Sequence, residues 1–116
     1  MQEPFKRDDE TTPVLFRVSR APKRDGSAVC AVFPCEPGNG TPGSMSCYEH
    51  VGQHGPCNYG WYLTTRPATP AEYADLKREL ESAPYRYRLK VCRRMTAGHR
   101  NALRAAIRDQ NDRAVA

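Results

Sequence analysis

The sequence predicts an α+β fold: a small antiparallel sheet of about four strands, one capped helix packed on one face, and a basic helix at the C-terminal end. Three observations carry that expectation. Apolar and polar residues alternate in two stretches, Val14-Phe16-Val18 and Tyr85-Tyr87-Leu89-Val91, which is the period of a strand with one buried face. Ala28 to Phe33 is an unbroken apolar run, suited to a central strand buried on both faces. Thr69-Pro70-Ala71-Glu72 is a capping box with proline at the first helical position.

In chain order, residues 1–13 mix both charges with two prolines and read as a flexible N-terminal tail. Val14 to Arg20 is the first strand. The Asp25-Gly26 pair turns the chain into the second strand, Ala28 to Phe33. Pro34 to Gly43, rich in proline and glycine, reads as a loop. No Gly-Lys-Ser/Thr follows those glycines, so they do not make a phosphate-binding loop. Met45 to Val51 is a third strand, with Met45, Cys47, Glu49 and Val51 on one face and Ser46, Tyr48 and His50 on the other. Trp61 to Thr65 reads as a short strand or extended edge. The capped helix follows, with Tyr73, Leu76 and Leu80 on one stripe, and Pro84 stops it. Tyr85 to Arg93 is a strand with Arg86, Arg88 and Lys90 on the face opposite its tyrosines. The last helix spans about Ala97 to Asp109, with Thr96 as its cap and Arg100, Arg104 and Arg108 as a ridge at four-residue spacing. Residues 14–94 thus form a single α+β domain, and 95–116 a C-terminal helix with a frayed end. The sheet face away from the capped helix is cationic and open, or is covered by the last helix or by a second subunit of a homodimer.

The chain of 116 residues has one domain's worth of core. No run approaches the apolar length of a membrane span, and the first ten residues have no apolar stretch. The expectation is a cytoplasmic protein that does not contact membranes. Five cysteines in such a chain suggest reduced thiols, buried or metal-bound, rather than a disulfide scaffold. The net charge is +5, and from Tyr85 to Arg108 there are eight basic residues and no acidic one. A surface of that kind suits an anionic partner.

Several segments together resemble a group of small uncharacterised proteins carried by bacterial phages and mobile elements. These segments are Val14 to Arg17, Ala31 to Pro34, Tyr48-Glu49-His50-Val51-Gly52-Gln53-His54-Gly55, Thr65 to Thr69, Glu72 to Leu76 and Leu89 to Val91. The Tyr-x-His-(Val/Ile)-Gly-Gln-His-Gly string is the most specific of them. The resemblance covers roughly 14–94. It implies a phage or mobile-element accessory role in the host cytoplasm, including the countering of host defence, and assigns no chemistry.

Polar, nucleophilic and aromatic side chains concentrate between Met45 and Tyr62. Cys47, His50, His54 and Cys57 are zinc-ligand types, but all four fall within eleven residues, and strand alternation puts Cys47 and His50 on opposite faces. No cofactor other than zinc is suggested. The same residues could serve a small Cys/His-dependent enzyme, with a histidine as base and a cysteine as nucleophile. No nucleophile elbow or paired-carboxylate pattern accompanies them. A binding surface is the third reading: Tyr48, Tyr59, Trp61 and Tyr62 offer area for contact, and His50, Gln53 and His54 offer directional hydrogen bonds. Those histidines could equally cap turns, with the aromatics closing the core. The expectation is a non-enzymatic accessory protein that binds a host protein, another host macromolecule or a small anionic ligand through this loop. The alternative is nucleic-acid binding through Arg86, Arg88, Lys90, Arg93, Arg94, Arg100, Arg104 and Arg108. There the aromatics alternate to the other side of the strand, which favours contact with the phosphate backbone over a base-stacking platform.

Overall fold

The computed structural model describes residues 11–19, 29–38, 42–49 and 54–115. Strand β1, Thr12–Ser19, lies inside the sheet, and its residues from Val14 to Val18 are all buried. It pairs antiparallel with β2, Val29–Pro37, with Leu15 opposite Val32 and Phe16 opposite Ala31. Beyond β2 come β3, Met45–Tyr48, and β4, His54–Cys57, each antiparallel to its neighbour. The other edge of β1 is shared. The short strand β5, Thr65–Pro67, pairs antiparallel with residues 17–19, and β6, Leu89–Cys92, runs parallel to residues 12–15. The fold is α+β, as the patterning predicts, with a larger sheet.

Two apolar clusters occupy the two faces. Val14, Phe16, Val18, Ala31, Phe33 and Tyr48 pack against Leu76 and Leu80 of helix α2, Pro70–Glu81. Each of these leucines contributes about 2 kcal/mol of transfer free energy. Tyr73, one turn before Leu76, stacks on Phe16 at 4.4 Å. The opposite face carries Leu15, Cys30, Val32 and Met45. It is closed by the short helix α1, Tyr59–Leu63, and by α3, Ala97–Val115, through Tyr62, Trp61 and Leu103. The sheet is therefore covered on both sides, and the last helix supplies the second cover.

The capping box forms as the sequence implies: Thr69 N donates to Glu72 Oε1 at 2.8 Å, and Glu72 N to Thr69 Oγ1 at 3.2 Å. Arg66 on β5 adds a two-pronged bond to the Glu72 carboxylate at 2.9 and 2.8 Å. These bonds, that from Arg66 foremost, hold the Glu72 carboxyl down at about 2.

Several local expectations change. Strand β1 begins at Thr12, inside the stretch read as a tail, and α3 runs on to Val115 instead of ending near Asp109. Arg17 is buried, so β1 is enclosed on both faces rather than one. Strand β2 does not end at Pro34 but runs on to Pro37, with a register shift between Phe33 and Pro37. A bulge of that kind lets a strand carry prolines that cannot donate to the ladder. Gly38 then passes so close to β3 that a Cβ on it would lie 2.6 Å from the Met45 carbonyl oxygen. Residues 59–63 are helical instead of extended because Asn58 caps them, its Oδ1 accepting from Trp61 N at 2.7 Å. Finally, only Leu89–Cys92 of the Tyr85–Arg93 stretch is a strand. Arg86 has φ 53, a left-handed conformation that breaks an extended run. The tyrosines still alternate inward because they pack as rings, Tyr87 on Phe33 at 5.1 Å and Tyr85 edge-on to Tyr48 at 5.3 Å.

Candidate functional site: an arginine–tyrosine cleft

The sequence places its candidate aromatics and its candidate cations on separate segments. The fold brings part of each set together where α1, β5 and the turn between β6 and α3 meet. A cleft of about 530 Å³ opens there, lined by Arg17, Tyr59, Tyr62, Thr65, Arg93 and Arg94, with Met95 at one end.

Its floor is Arg17. Nε donates to Thr65 Oγ1 at 2.8 Å and NH2 to the Thr65 carbonyl at 2.9 Å, while NH1 reaches the Arg93 carbonyl at 3.2 Å. Thr65 Oγ1 donates in turn to the Tyr62 carbonyl at 2.6 Å. Tyr62 closes the other side, its hydroxyl accepting from Met95 N at 2.9 Å. The 93–95 turn is thus tied twice, once to β1 through Arg17 and once to α1 through Tyr62.

The planar groups stack in sequence. The Arg17 guanidinium lies 4.3 Å from the Tyr62 ring centroid, Tyr62 and Tyr59 stack at 5.7 Å and 20°, and the Arg100 guanidinium lies 4.6 Å from Tyr59. Guanidinium groups are drawn to ring faces by the quadrupole. Tyr59 thus contacts both Tyr62 and Arg100, although the residue is 40% exposed.

The charge around the cleft differs from that on the α2 side. There Arg66, Lys77 and Arg78 each have a carboxylate within 2.8–2.9 Å. The exposed Arg86, Arg88, Lys90, Arg93, Arg94, Arg100, Arg104 and Arg108 form no such pair among the described residues. Arg104 is held by Asn101 Oδ1 at 2.6 Å.

The remaining candidates lie elsewhere. Tyr48 is 1% exposed, and its hydroxyl bonds to Glu79 beneath α2; it belongs to the core, not to a contact surface. His50 and Gln53 lie outside the described residues. His54 opens β4, its backbone opposite Tyr48. Trp61 is half-buried against the α3-side cluster.

Among the described residues, no group of three or more His, Cys, Asp or Glu side chains is placed to hold a metal ion. Of the zinc-ligand candidates, Cys47 and Cys57 lie on adjacent strands and join Cys30, with Cys47 hydrogen-bonded to both neighbours. Those bonds, followed by burial, push the Cys30 and Cys57 thiols up and keep them protonated at neutral pH. All five cysteines are free.

Among the described side chains, a different Cys/His pair meets, Cys92 Sγ and His99 Nε2 at 3.9 Å. Thr96 N donates to His99 Nδ1 at 3.1 Å, which puts the neutral ring's proton on Nε2, facing the sulfur. That nitrogen then has no lone pair to take the thiol's proton. Burial, with Lys90 nearby, lowers the pKa of His99 and reinforces the neutral ring.

Sequence reasoning missed Arg17, Thr65 and Met95. The one available signal was an arginine set between Phe16 and Val18 in an otherwise apolar strand. No helix among the described residues is long and apolar enough to cross a membrane. Comparison with known proteins finds no matching family model, no matching curated protein and no matching solved structure.

Proposed function

We propose that this chain is a non-enzymatic binding protein that holds the phosphate backbone of a nucleic acid along the arginine–tyrosine cleft. The observation that supports this reading is that Arg93 and Arg94, neither with a carboxylate partner among the described residues, line a cleft whose walls are already fixed by Arg17 and Tyr62, with the Arg100 guanidinium beside it over the Tyr59 ring. A phosphate needs donors that point at it without first giving up another anion, and arginine supplies them in a planar fork. The ridge of Arg100, Arg104 and Arg108 continues the charge along α3 in steps of about 6 Å. An accessory role in a phage or mobile element is the setting that the His-Val-Gly-Gln-His-Gly resemblance suggests, and a protein acting on host or phage nucleic acid fits it.

The reading is tested by binding of a labelled oligonucleotide at increasing salt. Neutralising about four phosphates gives a slope of log K against log salt near −3 for a single strand. Affinity that does not change with salt would exclude phosphate contacts as its source.

A further inference from the structure

A second, smaller recess adjoins the cleft. It measures about 210 Å³, lies between α3 and the start of β3, and is lined by Met45, Met95, Leu103 and Ile107, with the exposed Arg100 and Arg104 also contributing. Tyr59 and Met95 line both spaces, so the two are neighbours separated by a shared wall.

We infer that this recess takes one unstacked nucleobase, so that the ligand of the cleft is single-stranded nucleic acid; the inference rests on the phosphate-binding reading above. Met45, Met95, Leu103 and Ile107 have nothing to offer a phosphate, which would lose its hydration against them without replacement, whereas the exposed Arg100 and Arg104 can meet one from outside the recess. A flat ring with polar edges suits it, burying its faces against Leu103, Ile107 and the methionines while its edge meets the arginines. The cleft itself is a poorer place for a base, because its Tyr59 ring already stacks with Tyr62 and carries the Arg100 guanidinium. A ring linked to a phosphate in the cleft is carried naturally past the Tyr59–Met95 wall. In a duplex the bases are paired and stacked and do not reach such a recess. In a single strand they splay outward and dock on aromatic and guanidinium surfaces.

The test compares three labelled ligands of equal length on the intact chain: oligothymidylate, the same backbone without bases, and a duplex. Oligothymidylate is expected to bind about tenfold tighter than either of the others at the same salt, the effect of one base placed against apolar and aromatic surface. Ile107→Trp, which fills the recess, is expected to erase the difference between oligothymidylate and the base-free backbone while leaving the salt slope unchanged. Equal binding of oligothymidylate and base-free backbone by the wild-type chain overturns the inference and leaves the phosphate reading standing. Tighter binding of the duplex also overturns it. Salt-independent binding, or none, with all three ligands overturns both. Should Ile107→Trp fail to fold, the wild-type comparison decides alone.

Discussion

Replacing Arg17 by methionine is expected to lower folding stability by about 3 kcal/mol, the largest effect of any single substitution at the cleft. Methionine keeps much of the apolar stem but makes none of the bonds to Thr65 Oγ1, the Thr65 carbonyl and the Arg93 carbonyl. Hydrogen bonds from a charged donor contribute about 1.5–3 kcal/mol each, and a buried carbonyl left bare costs a similar amount. Thr65 is 1% exposed, so water cannot readily replace the lost donors. The loss of the contact with the Tyr62 face adds to this. Against a total stability of about 5–15 kcal/mol for a domain, the change is large enough to read in urea denaturation as a lower midpoint at unchanged slope. A change below about 0.5 kcal/mol would mean that the Arg17 bonds do not organise the cleft.

Replacing both Arg93 and Arg94 by alanine is expected to act the other way round, on binding and not on stability. Both side chains are exposed and unpaired among the described residues, so the fold is expected to change by less than about 0.5 kcal/mol. Affinity for an oligonucleotide is expected to fall about tenfold for each lost phosphate contact, and the salt slope to flatten by about 0.7 for each. Replacing both Lys77 and Arg78 on α2 by alanine, where each cation is paired with a carboxylate at 2.9 Å, removes the same two charges and is the control expected to bind as the wild type does. If the control weakens binding as much as the double variant does, the effect comes from net charge and not from the cleft.

The parts of this fold that were legible in the sequence are those fixed by neighbours along the chain. The capping box at Thr69 and the stripe of Tyr73, Leu76 and Leu80 need only local geometry, and both occur where the pattern puts them. Arg17 shows the opposite case. Its polar character made β1 read as half-buried, yet it is satisfied by Thr65, 48 residues along the chain, and no local pattern announces such a partner. Tyr85 and Tyr87 imitate a strand because ring packing against Tyr48 and Phe33 also alternates sides. Pro34 read as a strand end, because a bulge that accommodates proline depends on the register with β3.

The candidate site was visible only in halves. Tyr59 stood with the histidine loop, and Arg93, Arg94 and Arg100 with the basic strand and helix. It is the pairing of β1 with both β5 and β6 that brings those halves together. Tyr48 was misplaced because its neighbours in sequence are polar, whereas its neighbours in space are Tyr85 and Glu79.

The central claim, that nucleic acid is held in the arginine–tyrosine cleft, is tested most directly by mapping backbone amide chemical shifts by NMR as an oligothymidylate is added. The expected result is a continuous patch of shifts over Tyr59 to Leu63, Arg93 to Met95 and the first turns of α3 around Arg100 and Leu103, with the outer face of α2 around Asp75 and Arg78 unmoved. Shifts confined to residues 50–54, with the cleft unmoved, would contradict it and return the binding surface to the histidine loop.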